Sequence, residues 1–61
     1  SMGDKLKNVL EQKGIRQKDL ANEVGVSEAF MSYIIKGHKQ PSVALLKRIS
    51  DYLSVPMDDL V

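Results

Sequence analysis

The chain has 61 residues and a formal net charge of +1, from nine Lys and Arg against eight Asp and Glu. It contains no cysteine and one histidine, which excludes disulfides, thiolate zinc sites, cysteine nucleophiles and histidine-rich metal sites. A chain this short buries only about 60% of the surface that its unfolded form exposes, so a pocket for both a substrate and a cofactor is not expected. We therefore predict a protein that is not an enzyme and has no cofactor, metal or small-molecule site. Residues 2–61 are assigned to one domain, with Ser1 interpreted as a remnant of a purification tag.

The chain carries no signal for a membrane. No apolar run approaches the roughly 18 residues of a membrane-spanning helix. The first residues also lack the apolar segment of a secretory signal. A cytoplasmic location without membrane contact is therefore expected.

Apolar residues recur at helical spacing in the first half of the chain. Asp4 is predicted to cap a first helix, since the apolar residues after it have the spacing i, i+3, i+4. This helix is expected to end near Gly14. A second helix is predicted over about Gln17–Val24 and ends at Gly25, because glycine tolerates the left-handed conformation that closes a helix.

Two further helices are predicted in the second half. Ser27 is expected to cap a third helix that extends to about Lys36, before Gly37. Pro41 interrupts the chain, and Ser42 is expected to cap a fourth helix. Its apolar positions cover much of its circumference, which predicts the most buried helix of the domain. These positions are Val43, Leu45, Leu46, Ile49, Tyr52 and Leu53.

The last residues are predicted to form a short turn over 57–61, with Leu60 packing back onto the domain. No stretch alternates convincingly enough to predict a strand. The fold class predicted is therefore all-α, a bundle of four helices plus a short fifth.

The most informative segment is 17–36, where only three residues separate two short helices. A steep crossing over so short a link needs a residue with positive φ, which Gly25 provides, and a small side chain, which Ala21 provides. It also needs apolar side chains at the inward positions, and the chain has Leu20, Val24, Val26, Met31 and Ile34 there.

This combination resembles the Cro/phage-repressor-type helix-turn-helix family, which is also called lambda-repressor-like or xenobiotic-response-element-type. The resemblance extends from about Leu6 to Leu60. It is carried by Leu20-Ala21, Val24-Gly25-Val26-Ser27, Met31-Ser32, Ile34, Gly37, Pro41-Ser42, Gln17 and the Leu-x-Val-Pro-x-x-x-Leu pattern of 53–60. It implies a five-helix domain that binds operator DNA, usually as a dimer, and regulates transcription, more often as a repressor.

The resemblance also implies roles for individual residues. The helix over 27–36 would enter the major groove of double-stranded DNA, and a homodimer would contact two half-sites about one helical turn apart. Base contacts are expected from Ser27, Glu28, Ala29, Ser32 and Tyr33. Phosphate contacts are expected from Gln17, Lys18, Lys36, Gly37 and Lys39. The Gln17 amide is also expected to brace the side chain at Glu28.

Apart from the resemblance, the side-chain chemistry of three of these residues suits contacts with bases. A Glu28 carboxylate can accept a hydrogen bond from cytosine N4, and the Ala29 methyl suits a thymine methyl. Tyr33 has a ring and a hydroxyl that can reach a base edge or a phosphate. Glu28 is equally explained as an acid in the first turn of a helix, where it favours the helix dipole.

A second function remains open on the sequence, namely a protein-interaction module that keeps the fold without binding DNA. The low net charge and Glu28 favour it, and Phe30 with Ile35 is predicted to form an exposed apolar patch. Candidates for a dimer surface lie near the end of the chain. They are Tyr52, Val55, Leu60 and Val61.

Overall fold

A computed structural model describes residues 1–61 as four α-helices and one short 3-10 helix, without a strand. The elements are α1 (Met2–Lys13), α2 (Gln17–Val24), α3 (Glu28–Ile35), α4 (Val43–Leu53) and the 3-10 helix (Met57–Asp59). The predicted all-α class, with four helices and a short fifth, is confirmed. None of these helices combines the length and the apolar composition that crossing a membrane requires.

One apolar core joins all the elements. The helix α2 packs against both α3 and α4, while α1 packs against α3 and the 3-10 helix packs against α4. Each fully buried large side chain contributes about 1.5–3 kcal/mol, so this core is the main stabilising term. The core residues are Leu6, Leu10, Leu20, Ala21, Val24, Met31, Ile34, Leu45, Ile49, Leu53 and Leu60.

All four α-helices end with the same backbone arrangement. A residue with a positive φ follows each helix: Gly14 at 67°, Gly25 at 81° and Ser54 at 57° directly after α1, α2 and α4, and Gly37 at 84° after α3 and its C-cap Lys36. The next amide then donates a hydrogen bond back to a carbonyl in the last helical turn, as in a Schellman motif. These bonds run from Ile15 to Leu10, from Val26 to Ala21, from His38 to Tyr33 and from Val55 to Ser50.

The start of α1 differs from the prediction. The helix begins at Met2, and Ser1 is its N-cap, with its hydroxyl accepting a hydrogen bond from the Asp4 amide at 3.3 Å. The predicted cap at Asp4 is therefore wrong. Asp4 lies in the first turn instead, where its carboxylate accepts a hydrogen bond from the Ser1 hydroxyl at 3.0 Å.

Gly3 marks the place where α1 crosses the end of α3. This glycine is buried, and a Cβ atom added to it would collide with the backbone carbonyl oxygen of Ile35. The close approach of the two helices therefore depends on the missing side chain.

The helix α4 has four buried residues, more than any other helix, as predicted, but its apolar positions do not all face the core. Val43 is 74% exposed and Tyr52 is 38% exposed. The buried apolar residues Leu45, Ile49 and Leu53 form a single stripe with a spacing of four residues. Leu46 also packs partly against the core and Ser50 is buried, with α2 and the 3-10 helix as the main neighbours of α4.

The end of the chain packs back onto the domain as predicted. Leu60 is fully buried with 0% exposure, so it belongs to the core and not to a dimer surface. The Lys5 ammonium donates a hydrogen bond to the carbonyl oxygen of Val61, which joins the last residue to α1.

Candidate nucleic-acid interface

The link between α2 and α3 consists of the three residues 25–27. Gly25 is left-handed with a φ of 81°, and the Val26 amide donates to the Ala21 carbonyl at 3.0 Å. Ala21 itself is 1% exposed, so the small side chain lies inside the crossing of the two helices. The steric requirements that the sequence predicts for a steep corner are therefore met by these residues.

Ser27 starts α3 as its N-cap. Its backbone is extended, with φ −72° and ψ 156°, and its hydroxyl accepts a hydrogen bond from the Phe30 amide at 3.0 Å. Glu28 follows in the first turn, where a carboxylate interacts favourably with the helix dipole. The helix is therefore fixed at its exposed end by local signals that the sequence already contains.

The helix α3 has one face in the core and one in solvent. Met31 is 0% exposed and Ile34 is 1% exposed, whereas Tyr33 is 59% exposed. Among the other residues predicted to contact bases, Ser27, Glu28 and Ala29 are exposed and Ser32 is half-buried. Positions 28, 29, 32 and 33 are spaced i, i+1, i+4 and i+5, so they share one side of the helix.

The cations predicted to bind phosphate are exposed and unpaired. Lys36 and Lys39 follow α3, and Lys18 lies on α2. The ion pairs of the protein are Ser1 with Asp4, Arg16 with Asp19 and Lys47 with Asp51. None of them involves the three lysines, so these ammonium groups are available to an anionic ligand.

After α3, fewer backbone amides are free to donate a hydrogen bond to a phosphate than the sequence predicts. The Gly37 amide already donates to the Ile34 carbonyl at 3.1 Å, and the His38 amide donates to the Tyr33 carbonyl at 2.9 Å. The first amide in this loop without a protein acceptor is that of Lys39. A phosphate contact at Gly37 stays a prediction, and its amide would have to be shared.

The helix α2 contributes a second group of polar side chains beside α3. A shallow depression of about 300 Å³ is lined by Lys18, Ala21, Asn22, Val26, Ser27 and Glu28. The structure thus brings the Lys18 ammonium and the Glu28 carboxylate to one concave surface. Gln17 is half-buried at the first position of α2, and no hydrogen bond joins it to Glu28, so the predicted brace is not formed.

A comparison with protein families matches residues 6–60 to a family described as helix-turn-helix. The chain belongs to the helix-turn-helix family. This family consists of DNA-binding transcriptional regulators, and it is the Cro/phage-repressor type that the sequence resembles. The helix-turn-helix unit of this protein is α2, the corner at Gly25 and α3.

Two similar proteins agree with this assignment. An uncharacterized HTH-type transcriptional regulator of Bacillus subtilis (strain 168), YazB, is 28% identical over 58 residues, which is 95% of this chain and 84% of that protein. The crystal structure of the restriction-modification controller protein C.AhdI from Aeromonas hydrophila matches with a TM-score of 0.91 and 20% identity. The match covers 98% of this chain and 91% of that chain, and at such low identity it demonstrates the shared helix-turn-helix fold alone.

Near the exposed face of α3, sequence reasoning missed the Asn22 side chain and the contact of His38 with Tyr33. Asn22 lines the depression beside Lys18, and its signal is the i, i+4 spacing of these two residues on α2. His38 packs against Tyr33, with ring centroids 5.8 Å apart. Its signal is its place directly after the glycine that closes α3.

The predicted apolar patch of Phe30 and Ile35 is wrong. Both side chains are half-buried and pack against the core of the helix-turn-helix domain. The exposed large apolar side chains are Tyr33, Val43, Tyr52 and Val61.

Proposed function

We propose that this helix-turn-helix protein is a sequence-specific repressor of transcription that places α3, with its flanking residues 27 and 36, in the major groove of operator DNA. The observation that carries the proposal is the division of α3 into a core face and an exposed face. A helix of this length spans roughly 12 Å, and its diameter with side chains is about 10–12 Å. Both dimensions suit the major groove, which is about 12 Å wide.

The base contacts in this proposal come from the exposed face of α3 and its first residues. The Glu28 carboxylate accepts a hydrogen bond from cytosine N4, and the Ala29 methyl packs against a thymine methyl. The Ser27 and Ser32 hydroxyls and the Tyr33 ring contact the neighbouring base edges. Exposure of Ser27, Glu28, Ala29 and Tyr33 supports these roles.

The phosphate contacts provide most of the affinity and little of the specificity. Lys36 and Lys39 hold the backbone on one side of α3, and Lys18 with Gln17 holds it at the start of α2. Three lysines in each of two protomers would neutralise about six phosphates, which predicts a slope of log K against log salt of about −5.

A homodimer completes the proposed regulator. The Cα atoms of one domain span 22 × 21 × 19 Å, which is less than one turn of DNA. Two copies can therefore lie side by side on half-sites about 34 Å apart. Tyr52 and Val61 are exposed candidates for the dimer surface, and Val55 is half-buried. A cytoplasmic location, with access to the chromosome, belongs to the same proposal.

The salt dependence of binding tests the proposal. A duplex selected from a random-sequence DNA pool is titrated with the protein at several salt concentrations, and the fluorescence anisotropy of the duplex is followed. Lys36→Ala is expected to weaken binding to every duplex alike and to lower the slope by about 1 for each protomer. Lys47→Ala is the matched control, because Lys47 lies on α4 and pairs with Asp51 at 3.6 Å.

Binding that does not depend on salt, or equal effects of the two lysine changes, would contradict this interface. Absence of binding to any duplex would instead favour a protein-interaction module. The repressor role has a separate test, in which the selected duplex is placed over a promoter. Expression of the reporter should fall when the protein is present, and a rise would show an activator.

A further inference from the structure

An exposed aromatic pair lies at the end of α3. The rings of Tyr33 and His38 have centroids 5.8 Å apart and planes inclined at 75°. This is the edge-to-face geometry that aromatic rings favour over a parallel sandwich. Both residues are exposed, so the pair lies at the surface that the proposed function assigns to DNA.

The backbone holds the two residues of this pair together. Gly37 has a φ of 84°, which turns the chain back toward the helix after its last residue. The His38 amide then donates to the Tyr33 carbonyl at 2.9 Å. The contact between the rings therefore follows from the way in which α3 ends, and it is present before any ligand binds.

At each of the other three helix ends, a residue also follows directly after the residue with positive φ, as His38 follows Gly37. The residue that occupies the place of His38 is aliphatic in each of them and packs against the core. These residues are Ile15, Val26 and Val55. At the end of α3 the same position holds an exposed imidazole that packs edge to face with the Tyr33 ring. This contact does not contribute to the core. Its effect is to orient the Tyr33 side chain.

We propose that His38 is a positioning residue for sequence recognition, whose ring holds the Tyr33 ring in the orientation that contacts a base edge. The inference rests on the proposed function, because it needs Tyr33 at the DNA. An unrestrained exposed tyrosine moves between side-chain rotamers, and binding must then order it. A ring that is already restrained loses less entropy when it meets its base, so the preference for that base is stronger.

The test compares sequence selection by the wild type with selection by Tyr33→Ala, His38→Ala, His38→Phe and Lys39→Ala. Each folded variant selects duplexes from a random pool, and relative affinities are measured for each base at each position. His38→Ala is expected to reduce discrimination about two- to tenfold, at the same base positions as Tyr33→Ala. His38→Phe should restore it, because phenylalanine keeps the edge-to-face contact. Lys39→Ala should weaken all duplexes alike.

Two results would overturn the positioning role while the proposed function stands. In one, Tyr33→Ala changes the selected sequence and His38→Ala leaves it unchanged. In the other, His38→Ala weakens all duplexes equally, as a phosphate ligand would. If Tyr33→Ala itself leaves the preference intact, base contact by Tyr33 fails and the inference fails with it. The double variant of Tyr33→Ala and His38→Ala should discriminate no worse than Tyr33→Ala alone.

Discussion

The corner at Gly25 and the end of α3 at Gly37 share one backbone arrangement and have different consequences. Both glycines are left-handed, and in both places the next amide donates back into the preceding helix. At the corner the next residue, Val26, packs against the core and fixes the angle of α3. At the end of α3 the next residue, His38, stays in solvent beside Tyr33. The same backbone geometry therefore positions α3 in the fold at Gly25 and places a side chain at the proposed interface at Gly37.

The largest expected effect is a difference in stability between substitutions on the buried face and on the exposed face of α3. Met31→Ala should lower the free energy of unfolding by about 2–5 kcal/mol, because the side chain is 0% exposed and its removal leaves a cavity. Tyr33→Ala, on the exposed face of the same helix, should lower it by less than about 1 kcal/mol. Urea unfolding of both variants measures the difference. Similar losses would show that α3 has no distinct solvent face.

A second effect tests how the end of α3 is held by α1. Gly3→Ala should cost about 1–3 kcal/mol, because the new Cβ collides with the Ile35 carbonyl oxygen, which cannot move without shifting the helix. Asn8→Ala, at an exposed position of α1, is the control and should change stability by less than about 0.5 kcal/mol. Thermal unfolding checks both variants. A Gly3→Ala protein as stable as the wild type would contradict the close crossing.

The two glycine corners themselves should be energetically alike. A Cβ atom added to Gly25 or Gly37 meets nothing within 4 Å, so only the strain of the left-handed backbone opposes a substitution. Gly25→Ala and Gly37→Ala are each expected to cost about 1–2 kcal/mol in chemical unfolding. A difference between them of more than about 1 kcal/mol would break the comparison, since it would require side-chain contacts that the two corners do not share.

The smallest effect concerns the one helix end that lacks glycine. Ser54 closes α4 with a φ of 57°, a conformation that costs a residue with a side chain more than it costs glycine. Ser54→Gly should therefore raise the free energy of unfolding, by about 0.5 kcal/mol after the entropy cost of glycine is subtracted. A calorimetric melting temperature below that of the wild type would contradict the shared arrangement at the four helix ends.

Local signals made much of this fold predictable. The corner at Gly25 and the cap at Ser27 depend on residues adjacent in the chain, so α2 and the start of α3 appear where the sequence predicts them. The predicted start of α1 is wrong because Ser1 is interpreted as a tag remnant, although serine is a good cap and the longer helix gains hydrogen bonds. Asp4 can stabilise the first turn of that longer helix as well.

The exposure of side chains was harder to predict, because it depends on which helices become neighbours. Val43 is apolar, but it lies six residues before Ile49, about 120° around the helix from the centre of the buried stripe, and is exposed. Phe30 has the opposite outcome, since α3 lies against the other helices along the side that carries it. The contact of His38 with Tyr33 needs the geometry of a particular helix end, which periodicity alone does not contain.

The most direct test of the interface is a nuclear Overhauser measurement on the complex with a selected duplex. We expect contacts between the ring protons of Tyr33 and major-groove protons of the DNA, such as a thymine methyl or a cytosine H5. A saturated complex in which that ring shows no contact with DNA, while residues of another helix do, would contradict the assignment of α3 as the recognition helix.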